Sequence, residues 1–290
     1  MRADQLLLQR ELATSRSQAQ RLIASGVLWR EHAGADALWK RIGKNSDDLP
    51  EDAQIELLDV AEARYVSRGG LKLEGALKTS AVEVGSKTCL DVGQSTGGFT
   101  DCLLQHGARL VVGVDVGQGQ LHPSLRAHAR VVVLEQVNAR DLDATDLIAA
   151  YDDSTGATGT FDAKNADEVP FERPAPHVEP VEGFDASFDL IVGDLSFISQ
   201  TLVLPALEPL LKPGGDLLFL VKPQFELQPG QVGKRGIVKD DAMYDVVETR
   251  IRGCCAELGL EIKAWFDSPI TGGDGNREFF VHATKPPGEA

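Results

Sequence analysis

The sequence predicts an α/β protein whose larger part is a doubly wound, mostly parallel sheet, preceded by a small α+β unit. Two observations carry this. From residue 67 onward, short apolar runs suited to strands alternate with helical stretches. The first sixty residues instead place two helical segments ahead of two strand-like runs. The expected division is a domain at 1–60, a linker at 61–66 and a second domain at 67–290.

In the first domain, residues 3–12 set Leu6, Leu7 and Leu8 beside Gln9 and Arg10, as in a short amphipathic helix. A second helix follows. Ser15 is a good N-cap, and Gln18 lies at capping-box spacing. Leu22 and Ile23 supply its apolar face, and Gly26 is placed to end it. Residues 27–29 and 55–60 read as strands.

In the second domain a helix is expected at 68–79, opened by Gly69-Gly70. A strand at 87–92 leads to a helix at 99–105, stopped by Gly107. Further strands fall at 109–116, 131–135, 188–193, 216–222, 261–267 and 278–283, with helices at 142–151, 201–211 and 242–258. Residues 152–186 break the alternation. They are rich in Asp, Glu, Pro, Gly and Thr, and read as a long, acidic, mobile surface loop inserted in the domain.

Composition excludes several classes. With 42% hydrophobic and 25% charged residues the chain can build a sizeable core. No apolar run approaches the ~18 residues of a membrane span, and the N-terminus lacks the pattern of a secretory leader. A cytoplasmic protein is expected. Cys89, Cys102, Cys254 and Cys255 form no C-x-x-C pair and have no His at ligand spacing, so free thiols are expected and no metal. The net charge of −15 argues at first against a phosphate-rich partner. Its distribution reverses that. Residues 1–45 carry eight Arg/Lys against four Asp/Glu, a local charge of +4, whereas residues 151–190 carry ten acids against two bases.

The strongest local motif is Leu90-Asp91-Val92-Gly93-Gln94-Ser95-Thr96-Gly97-Gly98-Phe99. An apolar strand runs into a Gly-rich turn and then directly into a helix, the place where doubly wound folds seat a nucleotide-like ligand. A second strand ends at Asp115, where an acid can accept hydrogen bonds from both ribose hydroxyls. The pattern is D-x-G-x-x-x-G-G, not the G-x-G-x-x-G of dinucleotide sites, and no G-K-[ST] follows. A carboxylate at the strand end would repel a pyrophosphate but can support the amino group of a methionine moiety. S-adenosylmethionine is therefore the expected cofactor. Its contacts would be Asp91, Gly93, Ser95, Thr96, Gly97, Gly98, Phe99 and Asp115, with Asn138 on the adenine side. The expected sheet is therefore Rossmann-like, of the kind that serves methyl transfer from this cofactor.

Chemistry is expected at the carboxyl ends of the next strands. One ends Gly193-Asp194-Leu195-Ser196-Phe197, and the other Val221-Lys222-Pro223. Lys222 ends an apolar strand, so its stem is buried and needs a partner, for which Asp194 is suitable. A lysine so placed can serve as base toward a hydroxyl or steady the developing oxyanion. Enzymes that methylate exocyclic amines often carry [ND]-P-P-[YFW] at the position of Asp194 to Phe197. The prolines are missing here, which favours oxygen as acceptor.

Four segments carry a specific resemblance: Ser67-Arg68-Gly69-Gly70-Leu71-Lys72-Leu73-Glu74, Asp91 to Asp101, Gly193 to Ser199, and Ser268-Pro269-Ile270 with Gly275-Asn276-Arg277-Glu278. Through them the chain resembles the TlyA family of ribosomal RNA 2′-O-methyltransferases, whose catalytic domain is similar to the FtsJ-type fold. The resemblance implies a catalytic tetrad of Lys72, Asp194, Lys222 and Glu278. In it Lys222 activates the 2′-hydroxyl, Asp194 and Glu278 set its charge state, and Lys72 holds the ribose or its phosphate. Two departures stand out: the acidic insertion at 152–186, and Gln94, bulkier than the small residue expected in the loop.

The segment from Leu12 to Ile23, with Gly26-Val27, is similar to the αL RNA-binding domain of a small-subunit ribosomal protein and of many pseudouridine synthases. Arg10, Arg16, Arg21 and Lys44 are the expected contacts to phosphates of structured RNA, as in ribosomal subunits. Two other classes compete with the enzyme: a non-catalytic RNA-binding assembly factor, and the cytolysin activity attached to the family.

Overall fold

The computed structural model describes residues 1–13, 15–31, 38–58, 63–156, 178–233, 236–272 and 275–288. It falls into two units, Met1–Leu71 and Lys72–Ala290.

In the first unit α1 (Ala3–Gln9) and α2 (Arg16–Gly26) precede β1 (Val27–Arg30), β2 (Lys40–Arg41) and β3 (Gln54–Leu57). The strands form an antiparallel sheet in the order β2-β1-β3. Ser15 Oγ accepts the Gln18 N–H at 3.2 Å, which caps α2. The Gln18 side chain turns instead to the Tyr65 carbonyl, at 3.0 Å. Helix α1 stops short of the expected residue 12, because the backbone turns left-handed at Glu11 (φ 57°). Leu6, Leu7, Leu22, Ile23, Val27 and Ile42 form the core between helices and sheet. Each such side chain contributes about 1.5–3 kcal/mol by leaving water.

Helix α3 (Gly69–Ser80) begins at the end of the first unit, and the second unit runs on through β4 (Thr88–Val92), α4 (Gly98–Gln105), β5 (Leu110–Asp115), α5 (Pro123–Arg126), β6 (Val131–Glu135) and α6 (Ala144–Thr155). Then come β7 (Phe188–Gly193), α7 (Leu204–Leu207), β8 (Leu211–Val221), α8 (Pro223–Glu226), α9 (Ala242–Glu257), β9 (Glu261–Asp267) and β10 (Phe279–Thr284). The seven strands lie in the order β6-β5-β4-β7-β8-β10-β9. The first five are parallel, and β10 runs antiparallel to both its neighbours. All five residues of β4 are buried, as a strand covered on both faces requires. The strand order reverses at β4, so a crevice opens outside the carboxyl ends of β4 and β7.

The expected doubly wound sheet is present, and three local expectations are corrected. The single helix expected at 201–211 is a 3-10 turn at Gln200–Leu202, the short α7, and a second turn at Glu208–Leu210. Pro205 and Pro209 cannot donate into a continuous helix and break it. Strand β8 begins at Leu211, not 216, with a register shift between Phe188 and Leu190 of β7. Helix α6 runs to Thr155, into the segment read as a loop. The far end of that segment also packs inward, with Val178 and Ala186 in the core and Phe184 against Tyr151. Residues 157–177 lie outside the described residues. Among the described residues no helix is long and apolar enough to cross a membrane.

Candidate active site

The loop after β4 is shaped by two left-handed glycines. Gly93 has φ 82°, and a Cβ there would stand 2.7 Å from the Asp194 carbonyl oxygen. Gly97 has φ 95°, caps α4, and a Cβ there would meet Leu125 Cδ1 at 2.4 Å. Neither position admits a side chain without displacing its neighbours. Asp115, at the end of β5, fastens the loop: Oδ2 accepts the Ser95 N–H at 2.7 Å, and Oδ1 accepts the Gly117 N–H at 2.7 Å.

Beneath the loop lies a buried polar chain. Gln94 Nε2 donates to Thr100 Oγ1 at 2.8 Å, and Thr100 Oγ1 donates to Asp91 Oδ2 at 2.7 Å. Asp91 is fully buried, and burial pushes its carboxyl up to about 7. The large Gln94 side chain is accommodated because Gly113 of β5 leaves room for it.

A cleft of about 500 Å³ opens at the carboxyl ends of β4, β5 and β7, lined by Gly93, Ser95, Asp115, Gln120, Asn138, Asp194, Ser196 and Phe197 among others. Of the sequence-predicted cofactor residues, Gly93, Ser95, Asp115 and Asn138 line it. Asp91, Thr96, Gly97, Gly98 and Phe99 do not; Phe99 is buried and stacks on Phe280. The described lining holds two carboxylates and no Lys or Arg. Asp194 Oδ1 is buried, and the Lys222 ammonium stands 2.6 Å from it. A phosphate-bearing ligand would be repelled here, while a nucleoside carrying ammonium and sulfonium charges fits.

The four tetrad positions converge as two ion pairs. Lys222 Nζ lies 2.6 Å from Asp194 Oδ1 and donates to Ser196 Oγ at 2.8 Å. Lys72 Nζ donates to Glu278 Oε2 at 2.6 Å, with both side chains buried. Strand pairing explains the meeting. β7 and β8 are parallel neighbours, so their ends bring Asp194 and Lys222 together. β10 returns antiparallel with Phe279 opposite Val221, which sets Glu278 beside Lys222 one position further on. Burial pushes the Glu278 carboxyl above its usual range, opposed first by Lys72; Asp194 raises it further and Lys222 lowers it. The two pairs therefore feel one another.

In the first unit, Arg10 donates to the Glu51 carbonyl at 2.5 Å. Arg16 Nε reaches Asp4 Oδ2 at 3.2 Å and is largely exposed. Arg21 is partly buried and Lys44 is exposed. Asp4 is also paired with Arg2 at 2.9 Å. Lys44 shares a groove of about 510 Å³ with Arg41, Gln20 and Asn45.

The sequence reading missed Ser196, which hydrogen-bonds Lys222, and Arg41 in the basic groove. It also missed Glu226, buried and hydrogen-bonded to Ser199 and Gln200. Lys222, four positions before it, was in view, but no local spacing marks a glutamate on a four-residue helix as buried.

A family model for FtsJ-like methyltransferases matches residues 65–285. The Bacillus subtilis protein YqxC, a candidate rRNA methyltransferase, is 40% identical over 98% of this chain and 86% of its own. The 16S/23S rRNA (cytidine-2′-O)-methyltransferase TlyA of Mycobacterium tuberculosis is 37% identical over 97% of this chain and 88% of its own. A solved structure from Streptococcus thermophilus, described as a candidate hemolysin, superposes with a TM-score of 0.66 at 34% identity, covering 99% of this chain and 88% of that one. Together with the sheet order and the two ion pairs at its carboxyl edge, these matches establish that the chain belongs to the FtsJ-like methyltransferases, and within them to the TlyA family.

Proposed function

We propose that this enzyme transfers the methyl group of S-adenosylmethionine to a ribose 2′-hydroxyl of ribosomal RNA, within a ribosomal subunit. The observation that carries the reading is the ion pair of Lys222 with Asp194, 2.6 Å apart at the rim of a cation-tolerant cleft. The cofactor supplies an electrophilic methyl on sulfur. When it is bound, Asp115 would hold its ribose, Asn138 its base, and the acidic lining its positive charge. Asp91, buried beneath the loop, supports it through its hydrogen bond from Thr100.

A ribose hydroxyl is a poor nucleophile until its proton leaves. Lys222 Nζ is the group assigned to that proton, handing one of its own to Asp194 as it takes it up. Glu278 tunes this pair, and buried Lys72 holds Glu278 in place. Lys72, expected to hold the ribose or its phosphate, is assigned this positioning role because its side chain is buried against Glu278. Phe197 stands exposed beside the cleft, where a nucleobase could stack. The basic stretch 1–45 of the first unit, with Arg10, Arg16, Arg21 and Lys44, grips structured RNA by its phosphates. The cytidine ribose in the name of the M. tuberculosis relative marks the first nucleotides to examine.

The test is incubation of purified protein with unmodified small and large ribosomal subunits and labelled S-adenosylmethionine, followed by mapping of ribose methylation. Label at a defined 2′-oxygen is expected. Binding to subunits without any transfer would favour a non-catalytic assembly factor.

A further inference from the structure

Asp194 and Lys222 sit at the ends of neighbouring strands, and each opens a loop. The β7 loop runs from Asp194 to Ser199, and the β8 loop enters α8 directly. The first loop is strained: Phe197 adopts φ 64°, a left-handed conformation that persists only when its surroundings impose it. Two contacts bind the loops together just beyond the ion pair. The Phe197 and Phe225 rings pack with centroids 5.0 Å apart. Glu226 makes the second contact, with both carboxylate oxygens. Oε2 accepts the Ser199 hydroxyl at 2.5 Å, and Oε1 accepts the Gln200 N–H at 2.7 Å.

Glu226 is 3% exposed and does not line the cleft. Its own backbone is anchored, because its carbonyl accepts from Arg250 of α9 at 2.5 Å. Burying a carboxylate is costly and calls for a reason. Here the two oxygens join one catalytic loop to the other.

We infer that Glu226 is a positioning residue for methyl transfer: it clamps the β7 loop to the β8 loop and so holds Lys222 against Asp194. The inference rests on the role proposed above for that pair. A glutamine at 226 preserves both hydrogen bonds, with Oε1 accepting from Gln200 and Nε2 donating to the Ser199 hydroxyl. Alanine removes both, and Ser199→Ala removes one.

The experiment compares full-length wild type, Glu226→Ala, Glu226→Gln, Ser199→Ala and Lys222→Ala on the same ribosomal subunits. It measures kcat and its pH profile, cofactor affinity by calorimetry, and the thermal midpoint. Glu226→Ala is expected to lower kcat about tenfold or more through misplacement of the pair. Its cofactor affinity should stay within about twofold, and the pH at half-maximal kcat should shift because Lys222 no longer faces Asp194 at close range. Glu226→Gln should restore both rate and profile, and Ser199→Ala should fall between. A folded Glu226→Ala enzyme with wild-type kcat overturns the inference. So does a rate loss with an unshifted profile that glutamine does not repair, since that marks a structural residue only. If Glu226→Ala does not fold, Ser199→Ala decides: a lowered kcat with a shifted profile supports the clamp, and wild-type behaviour overturns it. Failure of the underlying reading looks different, with no transfer by wild type or full transfer by Lys222→Ala.

Discussion

The Gln94 side chain fills the space that a Cβ on Gly113 would need. An ideal Cβ there would stand 1.9 Å from Gln94 Nε2. The loop after β4 and the neighbouring strand are thus matched in volume, a large residue facing a missing one. Gly113→Ala should destabilise the fold by about 1–3 kcal/mol, as overpacking does, and weaken cofactor binding by lifting the loop. Adding Gln94→Ser should recover most of the loss. A double-mutant cycle by thermal denaturation checks this, and strictly additive effects would show that the two sites are independent.

The catalytic assignment makes a sharper demand. Lys222→Ala should lower kcat/KM about 10²–10⁴-fold while calorimetry finds cofactor affinity nearly unchanged. Lys222→Arg should fail as well, because a planar guanidinium cannot occupy a site that fits one ammonium between Asp194 and Ser196. Retained turnover in the alanine variant would sink the assignment.

Asp91 predicts a pH effect on stability. Its folded-state pKa is raised from 3.8 to about 7 by burial. The folded state therefore holds a proton that the unfolded state has released between those values, and stability falls as pH rises through that window. Asp91→Asn, which can still accept from Thr100, should raise the melting temperature at pH 8 and change it little below pH 4. An equal shift at both pH values would mean that the carboxyl does not titrate there.

The first unit is tested by salt. Arg16→Ala with Arg21→Ala should reduce affinity for ribosomal subunits and flatten its dependence on salt, by roughly one unit of slope for each phosphate no longer neutralised. The fold should survive, since Asp4 keeps its bond to Arg2 at 2.9 Å. Unchanged affinity and slope would place the RNA-binding surface elsewhere, Arg41 being the next residue to examine.

Local spacing alone determined the Gly-rich turn after β4, the order of most strands along the chain and the cap on α2. These depend on residues a few positions apart, whose backbone preferences act before any tertiary contact forms. Lys72 and Glu278 lie 206 positions apart. They could be paired in advance only through resemblance to a family, because nothing in either neighbourhood encodes the antiparallel return of β10. The helix expected at 201–211 gives way at Pro205 and Pro209, whose missing N–H groups outweigh the apolar spacing around them. Ser196 beside Lys222, Glu226 beneath Ser199 and Gln94 against Gly113 were decided by the tertiary structure. Each depends on which strands become neighbours and in what register, and a shift of one residue would dissolve all three without changing a single local preference.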